Sequence, residues 1–189
     1  MHLRALTAND EIPLSVLMDT TFGGPEMYQF ARELRAENAV AMERIAYEGD
    51  TLLGYICCAR MVVPEDWWAL SILAVSPMYH KRGMGRELVA HGMDHARREG
   101  ARAVVVVADP KYFSRVGFSQ LAASKLELPM MAEHTSLYPI APGTGMSTHR
   151  LIYPEAYERL MDGEPRKELA QGARPEAPKR RFARRFLSI

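Results

Sequence analysis

The stretch Tyr79–Leu88 reads YHKRGMGREL and sets Gly83 and Gly85 at the mouth of a helical pattern, beside Lys81, Arg82 and Arg86. Glycine is a weak helix former, so two of them there need a reason. A helix N-terminus leaves about four backbone N–H groups without partners, at the positive end of the helix dipole. An anion can satisfy those groups. Glycine lets the backbone come close to it, because no Cβ stands in the way. The three cations add positive potential. The spacing is that of a phosphate cradle, and the alternative is a tight turn with solvated bases. A Walker loop, G-x-x-x-x-G-K-S/T, does not occur. The third glycine of a dinucleotide fingerprint would fall on Leu88, which argues against nicotinamide or flavin binding.

Other reactive side chains offer less. His91 and His95 have the i, i+4 spacing of zinc-binding helices, but Gly92 stands where the adjoining Glu would be and no third ligand is evident. No metal is expected. Cys57 and Cys58 are adjacent, which excludes a disulfide framework and fits a reducing cytoplasm. On a strand they would point to opposite faces as small buried hydrophobes. Met130 and Met131 are adaptable filler or pocket lining.

The elements around the cradle follow from pattern. HLRAL reads as a short strand. NDEIPLSVLMDTTF reads as a helix capped at Asn9 or Asp10, with Pro13 in its first turn. GGPEMYQFARELRAE reads as a second helix. AVAMERIAYEGDTLLGYICCARMVV is a hairpin turning at Gly49-Asp50. WWALSILAV is a strand ended by Ser76-Pro77. Residues 84–99 carry Leu88, Val89, Gly92, Met93 and Ala96 on one helical face. ARAVVVVA is apolar on both faces, as a strand inside a sheet is. After DPKYFSRVGF and a polar stretch come weaker strands around SLYPIA and MSTHRLIY, then a short helix, PEAYERLM. The strand–helix–strand step from WWALSILAV to VVVVA implies a parallel pair with a right-handed crossover. The cradle lies at the carboxyl end of its first strand, where open α/β sheets bind ligands. The fold class is α/β, a mixed α+β sheet.

The 189 residues suit one domain with a small appendage, and 48% hydrophobic with 25% charged residues is ordinary for a soluble globular chain. A net charge of +1 singles out neither nucleic acid nor an acidic surface as partner. The opening residues lack an apolar signal region, and no apolar run is long enough for a membrane span. Charge is uneven. Residues 163–189 hold eight basic and three acidic residues, a net +5 that leaves −4 for residues 1–162. With Pro165, Pro175 and Pro178 this reads as a basic, flexible C-terminal extension to a domain spanning 1–162. Its end, KRRFARRFLSI, offers the one expected route to RNA or an anionic partner.

AVSPMYHKRGMGRELV resembles the acyl-coenzyme A signature of the GNAT superfamily of N-acetyltransferases, roughly V-x-P-x-x-Q/R-x-x-G-x-G/A-x-x-L. Val75, Pro77, Gly83, Gly85 and Leu88 match it, and His80 replaces the usual Gln or Arg. GARAVVVVADPKYFSRVGF resembles the GA…VVVLGDPxYYxRFGF block of the YhbS-like branch, and LIYPEAY resembles that branch's V-x-Y-P-x-A-F close. The resemblance runs from about Met1 to Met161 and leaves out the basic tail.

It implies a GNAT-like fold in which two parallel strands, here WWALSILAV and ARAVVVVA, splay apart to admit the pantetheine arm of acetyl-CoA. Backbone groups of Leu73, Ala74 and Val75 would bond its amides. His80, Lys81, Arg82, Gly83, Met84, Gly85 and Arg86 would hold the pyrophosphate. The implied activity is transfer of acetyl from acetyl-CoA to a primary amine, on a small molecule or a peptide, by direct attack in a ternary complex. In the family a Tyr four residues before the Gly of the GF pair protonates the departing thiolate. Here that position is Phe113, and Tyr112 precedes it. Tyr112 is therefore the candidate acid, with a packing role as the alternative. Glu65, next to Asp66, Trp67 and Trp68, is a candidate base acting through water, or else a solvated loop residue. His134 and His149 can line the acceptor side, or else are structural or exposed residues. The loss of Tyr at 113 keeps a second reading open, a non-catalytic acyl-CoA-binding sensor or interaction module. A third is an RNA- or ribosome-associated acetyltransferase recruited by the tail. MSTHRLIY can complete the sheet alone or across a homodimer.

Overall fold

The structure, a computed structural model, describes residues 2–162. The extension read at 163–189 lies outside them. In chain order the elements are β1 (His2–Arg4), α1 (Glu11–Phe22), α2 (Glu26–Ala36), β2 (Val40–Glu48), β3 (Thr51–Arg60), β4 (Trp67–Val75), α3 (Met84–Arg98), β5 (Ala103–Val107), α4 (Pro110–Ser114), α5 (Gln120–Ala123), β6 (Thr135–Pro139) and α6 (Glu155–Asp162). The six strands form one sheet in sequence order. Neighbours pair antiparallel except β4 and β5, which run parallel and are joined through α3. The mixed sheet and its parallel pair are as the sequence pattern requires.

All nine residues of β4 and all five of β5 are buried. Their unbroken apolar runs suit strands covered on both faces. On one face Leu14, Met27, Phe30, Ala156 and Tyr157 of α1, α2 and α6 pack against Cys57, Ala69, Ile72 and Val105. On the other, Leu88, Val89 and Met93 of α3 pack against Cys58, Leu70, Leu73 and Val106. Cys57 and Cys58 thus sit on opposite faces of β3. Both are free and buried, and burial pushes the Cys57 thiol up to about 12.

Two polar anchors tie the helical layer to the sheet edge. Asp10 stands at the N-cap position of α1, but its side chain does not cap that helix. It turns back to accept from Thr7 N and Oγ1, from both Arg4 guanidinium nitrogens, and from Tyr47, at 2.7–2.8 Å. Arg35 of α2 bonds Glu43 of β2 and Glu11 of α1, and the buried Tyr55 hydroxyl also donates to Glu43.

Two readings need correction. MSTHRLIY is not a strand: among the described residues only Arg150 and Ile152 make single bridges, to Glu127 and Val63. Its β-branched and aromatic residues suit a pleated surface, but β6 already closes that end of the sheet. The polar stretch after Phe118 holds one helical turn, α5, whose N-cap Ser119 accepts from Ala122 N.

Candidate active site

The parallel register of β4 and β5 runs from Trp67↔Ala103 to Leu70↔Val106 and stops. Beyond it β4 continues for five residues along β3 alone. Two features produce this fork. First, Cys57 pairs with Ile72 and Cys58 with Leu70, so Ser71 is an extra residue, a bulge in β4. The bulge shifts the alternation, so Ala69 and then Ile72 face the α1–α2–α6 layer, while Leu70 and then Leu73 face α3. Second, β5 ends at Val107, and Asp109 caps α4 by accepting from Lys111 N at 2.9 Å, with Pro110 at the first helical position.

The register fixes which groups face the gap. Ser76 N donates to Leu53 O at 2.8 Å, and bonding alternates along an antiparallel pair. Ala74, opposite Tyr55, therefore directs its backbone groups to β3, and Leu73 and Val75 direct theirs to the open side. The Val75 carbonyl is taken there by His80 Nε2 at 2.8 Å, with Thr21 Oγ1 at 3.5 Å. His80 folds its own loop back onto the end of β4. The gap is lined by Leu70, Ser71, Leu73, Val106, Ala108 and Phe113, with Phe22 and Met27 reaching in from the helical layer.

The loop opens this gap onto the N-terminus of α3. Lys81 and Gly83 have φ of +61° and +88°, so the chain turns twice through left-handed conformations before the helix. Glycine holds such a φ without strain. Gly83 is the N-cap, no side chain among the described residues caps the helix, and the first helical bond is Glu87 N to Gly83 O. The amides of Met84, Gly85 and Arg86 precede that bond and remain available to an anion. Lys81, Arg82 and Arg86 are exposed around them, and Arg82 stacks on Tyr79 at 5.1 Å. A Cβ on Gly85 would collide with the Tyr112 hydroxyl.

Tyr112 and Phe113 therefore divide the site. Phe113, 1% exposed, lines the gap and meets Phe118 edge-on at 5.3 Å. Tyr112 points instead to the first turn of α3. Burial raises its hydroxyl pKa and the Arg86 charge opposes the shift. Glu65 is exposed at the turn before β4, at the end far from the N-terminus of α3, and neighbouring Asp66 lies 3.8 Å from Arg102. His149 packs on Trp67 at that same far end. His134 lies nearer: its carbonyl accepts from Ala108 N, and its buried Nδ1 makes no hydrogen bond among the described residues. His95 packs against Trp68 at 6.1 Å. Burial lowers the pKa of both His91 and His95, with Arg44 adding to it. Among the described residues no group of three or more His, Cys, Asp or Glu can hold a metal ion.

Sequence reading passed over Ser71 and Tyr157. Tyr157 of α6 donates to Ser71 Oγ at 2.8 Å, across 86 positions of sequence. Ser71 is the one polar residue of WWALSILAV, and that is the signal it left.

The sequence profile described as the Acetyltransferase (GNAT) family matches residues 14–118, from α1 to the end of the Phe113–Phe118 turn. The chain belongs to the GNAT acetyltransferase family. Among GNAT proteins it is 27% identical over 157 residues to the uncharacterised N-acetyltransferase YhbS of Escherichia coli (strain K12), covering 80% of this chain and 87% of that one. The structure of E. coli YhbS, solved in complex with CoA, superposes with a TM-score of 0.76 at 23% identity, over 84% of this chain and 92% of YhbS. A GNAT acetyltransferase of Brucella melitensis, solved with acetyl-CoA, gives 0.69 at 22% identity, over 82% and 97%. At these identities the superpositions establish the GNAT fold.

Proposed function

We propose that this protein is an N-acetyltransferase that moves acetyl from acetyl-CoA to a primary amine by direct attack in a ternary complex. One observation carries the reading: β4 and β5 part after Leu70 and Val106, and the uncapped N-terminus of α3 stands at the mouth of the gap. Leu73 and Val75 have ladder groups facing that gap, and such groups need partners. The two amides of a pantetheine arm suit them. The Val75 carbonyl is already held by His80, so Val75 N and the Leu73 groups are the ones offered. Amides of residues 83–86, with Lys81, Arg82 and Arg86, suit a pyrophosphate. The bound ligands of YhbS and the Brucella enzyme support the same donor.

Acetyl-CoA brings the activated acyl group, and the chain's residues bind and orient it and shield it from water. Direct attack fits the cysteines: Cys57 and Cys58 are buried and protonated, so neither serves as an acyl-carrying nucleophile. Unpaired thiols suit a cytoplasmic setting. No helix among the described residues is long and apolar enough to cross a membrane. Tyr112, the candidate acid one residue before the motif position, has its hydroxyl at the phosphate end of the gap, so its stronger role is in holding the donor. Glu65 stands in the exposed turn before β4, two positions ahead of Trp67, so this reading gives it no part in proton transfer.

Initial rates with a panel of small amines and peptides test this. Intersecting double-reciprocal lines against acetyl-CoA are expected; parallel lines would show a covalent acyl-enzyme instead. A second reading rests on Phe113, which puts a phenyl ring where the family places an acid: the chain binds acyl-CoA as a sensor and does not turn over. Binding without turnover on the whole panel selects that reading.

A further inference from the structure

Ser71 combines three properties. It is the bulged residue of β4, at the point where β5 departs. It is 2% exposed and lines the gap that Phe113 also lines. Its Oγ accepts from the Tyr157 hydroxyl at 2.8 Å and donates to Ala69 O at 3.2 Å. Polar side chains are costly in a buried central strand, and this pair is satisfied mainly by itself. Ser71 lies four positions back from Val75, about 13 Å along the strand. An extended arm that starts at the α3 amides and follows Val75 and Leu73 thus ends at Ser71, where the strands close.

We propose that Ser71, held by Tyr157, donates a hydrogen bond to the sulfur of coenzyme A as the thioester breaks. This rests on the acetyl-CoA reading above. The amine nitrogen bonds to the acetyl carbon, the C–S bond breaks, and its electron pair passes to sulfur. The nitrogen sheds one proton to water, and the sulfur later takes one from water. Ser71 keeps its proton throughout. It turns its hydroxyl from Ala69 O, a long bond, toward the developing thiolate. Tyr157 is a positioning residue: it donates to Ser71 Oγ and so strengthens Ser71 as a donor. The ionisable neighbours that act on Tyr157 are Tyr153, Cys57 and Cys58. Burial raises the pKa of Tyr157 well above the ordinary phenol value, so it stays a donor across the working range. Phe113 leaves this role unfilled from the α4 side, and the Ser71–Tyr157 pair fills it from α6.

The test uses the full chain with bound coenzyme A and follows thiolate ultraviolet absorbance against pH. A hydrogen bond to an anion favours it, so the bound thiol should ionise about one pH unit lower in the wild type than in Ser71→Ala. Tyr157→Phe should fall between, and Ser71→Thr, which keeps the hydroxyl, should restore the wild-type value. Ser71→Ala/Tyr157→Phe removes both hydroxyls, leaves no orphan, and guards against misfolding of the single variant. With an accepted amine, Ser71→Ala should lower kcat about tenfold with KM for acetyl-CoA little changed. Equal thiol titration in wild type and Ser71→Ala, with coenzyme A bound by both in calorimetry, overturns the proposal alone. Failure of the folded wild type to bind coenzyme A overturns it together with the acetyltransferase reading.

Discussion

The Tyr112 hydroxyl lies against Gly85 in the first turn of α3, while the ring of its neighbour Phe113 lines the gap between β4 and β5. The one phenol of this pair therefore serves the phosphate end. Tyr112→Phe should weaken acetyl-CoA binding about three- to tenfold, the range of one neutral hydrogen bond, and leave kcat near its wild-type value. Steady-state kinetics separates the two constants. A collapse of kcat at unchanged KM would make Tyr112 the acid after all.

Phe113→Tyr puts a hydroxyl into the gap. In the free protein that group is buried without a partner, which costs about 1–3 kcal/mol and should lower Tm by several degrees. If loss of a donor limits transfer, turnover should rise despite the lower Tm. Parallel thermal melts and rate measurements check both halves.

The left-handed φ of Gly83 and the crowding at Gly85 separate folding from binding. Gly83→Ala meets open space, but its φ of +88° costs an L-residue about 1–2 kcal/mol. Gly85→Ala sits inside the helix, where Ala is favoured by up to about 1 kcal/mol, and displaces only the tip of Tyr112. Denaturant unfolding should show Gly83→Ala the less stable of the two. Both should bind acetyl-CoA more weakly than wild type.

Asp10 sets an acid limit on stability. Its bonds from Arg4, Thr7 and Tyr47 outweigh the opposing effect of burial and hold its carboxyl far below the ordinary 3.8. A depressed folded-state pKa stabilises above the unfolded value and loses that contribution as pH falls below 3.8. Wild type should therefore lose stability steeply from pH 4 downward. Asp10→Asn should be less stable near neutrality and show a flatter acid limb in urea unfolding against pH.

The β4–α3–β5 unit was legible in the sequence because its signals are strong and local. Two unbroken apolar runs flank a helix whose apolar residues share one face, and a glycine loop joins strand to helix. The same apolar continuity hid the bulge. WWALSILAV has no in–out alternation, so an inserted residue at Ser71 breaks no visible pattern. This is also why Ala74 stood beside Leu73 and Val75 as a candidate ligand, when only the register shows it turned to β3. Tyr157 was illegible because its partner lies 86 positions away. MSTHRLIY was over-read because β-propensity cannot tell a strand from an extended segment with single bridges.

The central claim is that the gap and the α3 N-terminus bind acetyl-CoA through its phosphates. Calorimetry of acetyl-CoA, coenzyme A and dephospho-coenzyme A with wild type and with Gly83→Glu/Gly85→Glu tests it most directly. The account predicts binding to wild type, and its loss in the double variant while circular dichroism shows an unchanged fold. No binding by folded wild type, or equal binding by both proteins, would contradict it.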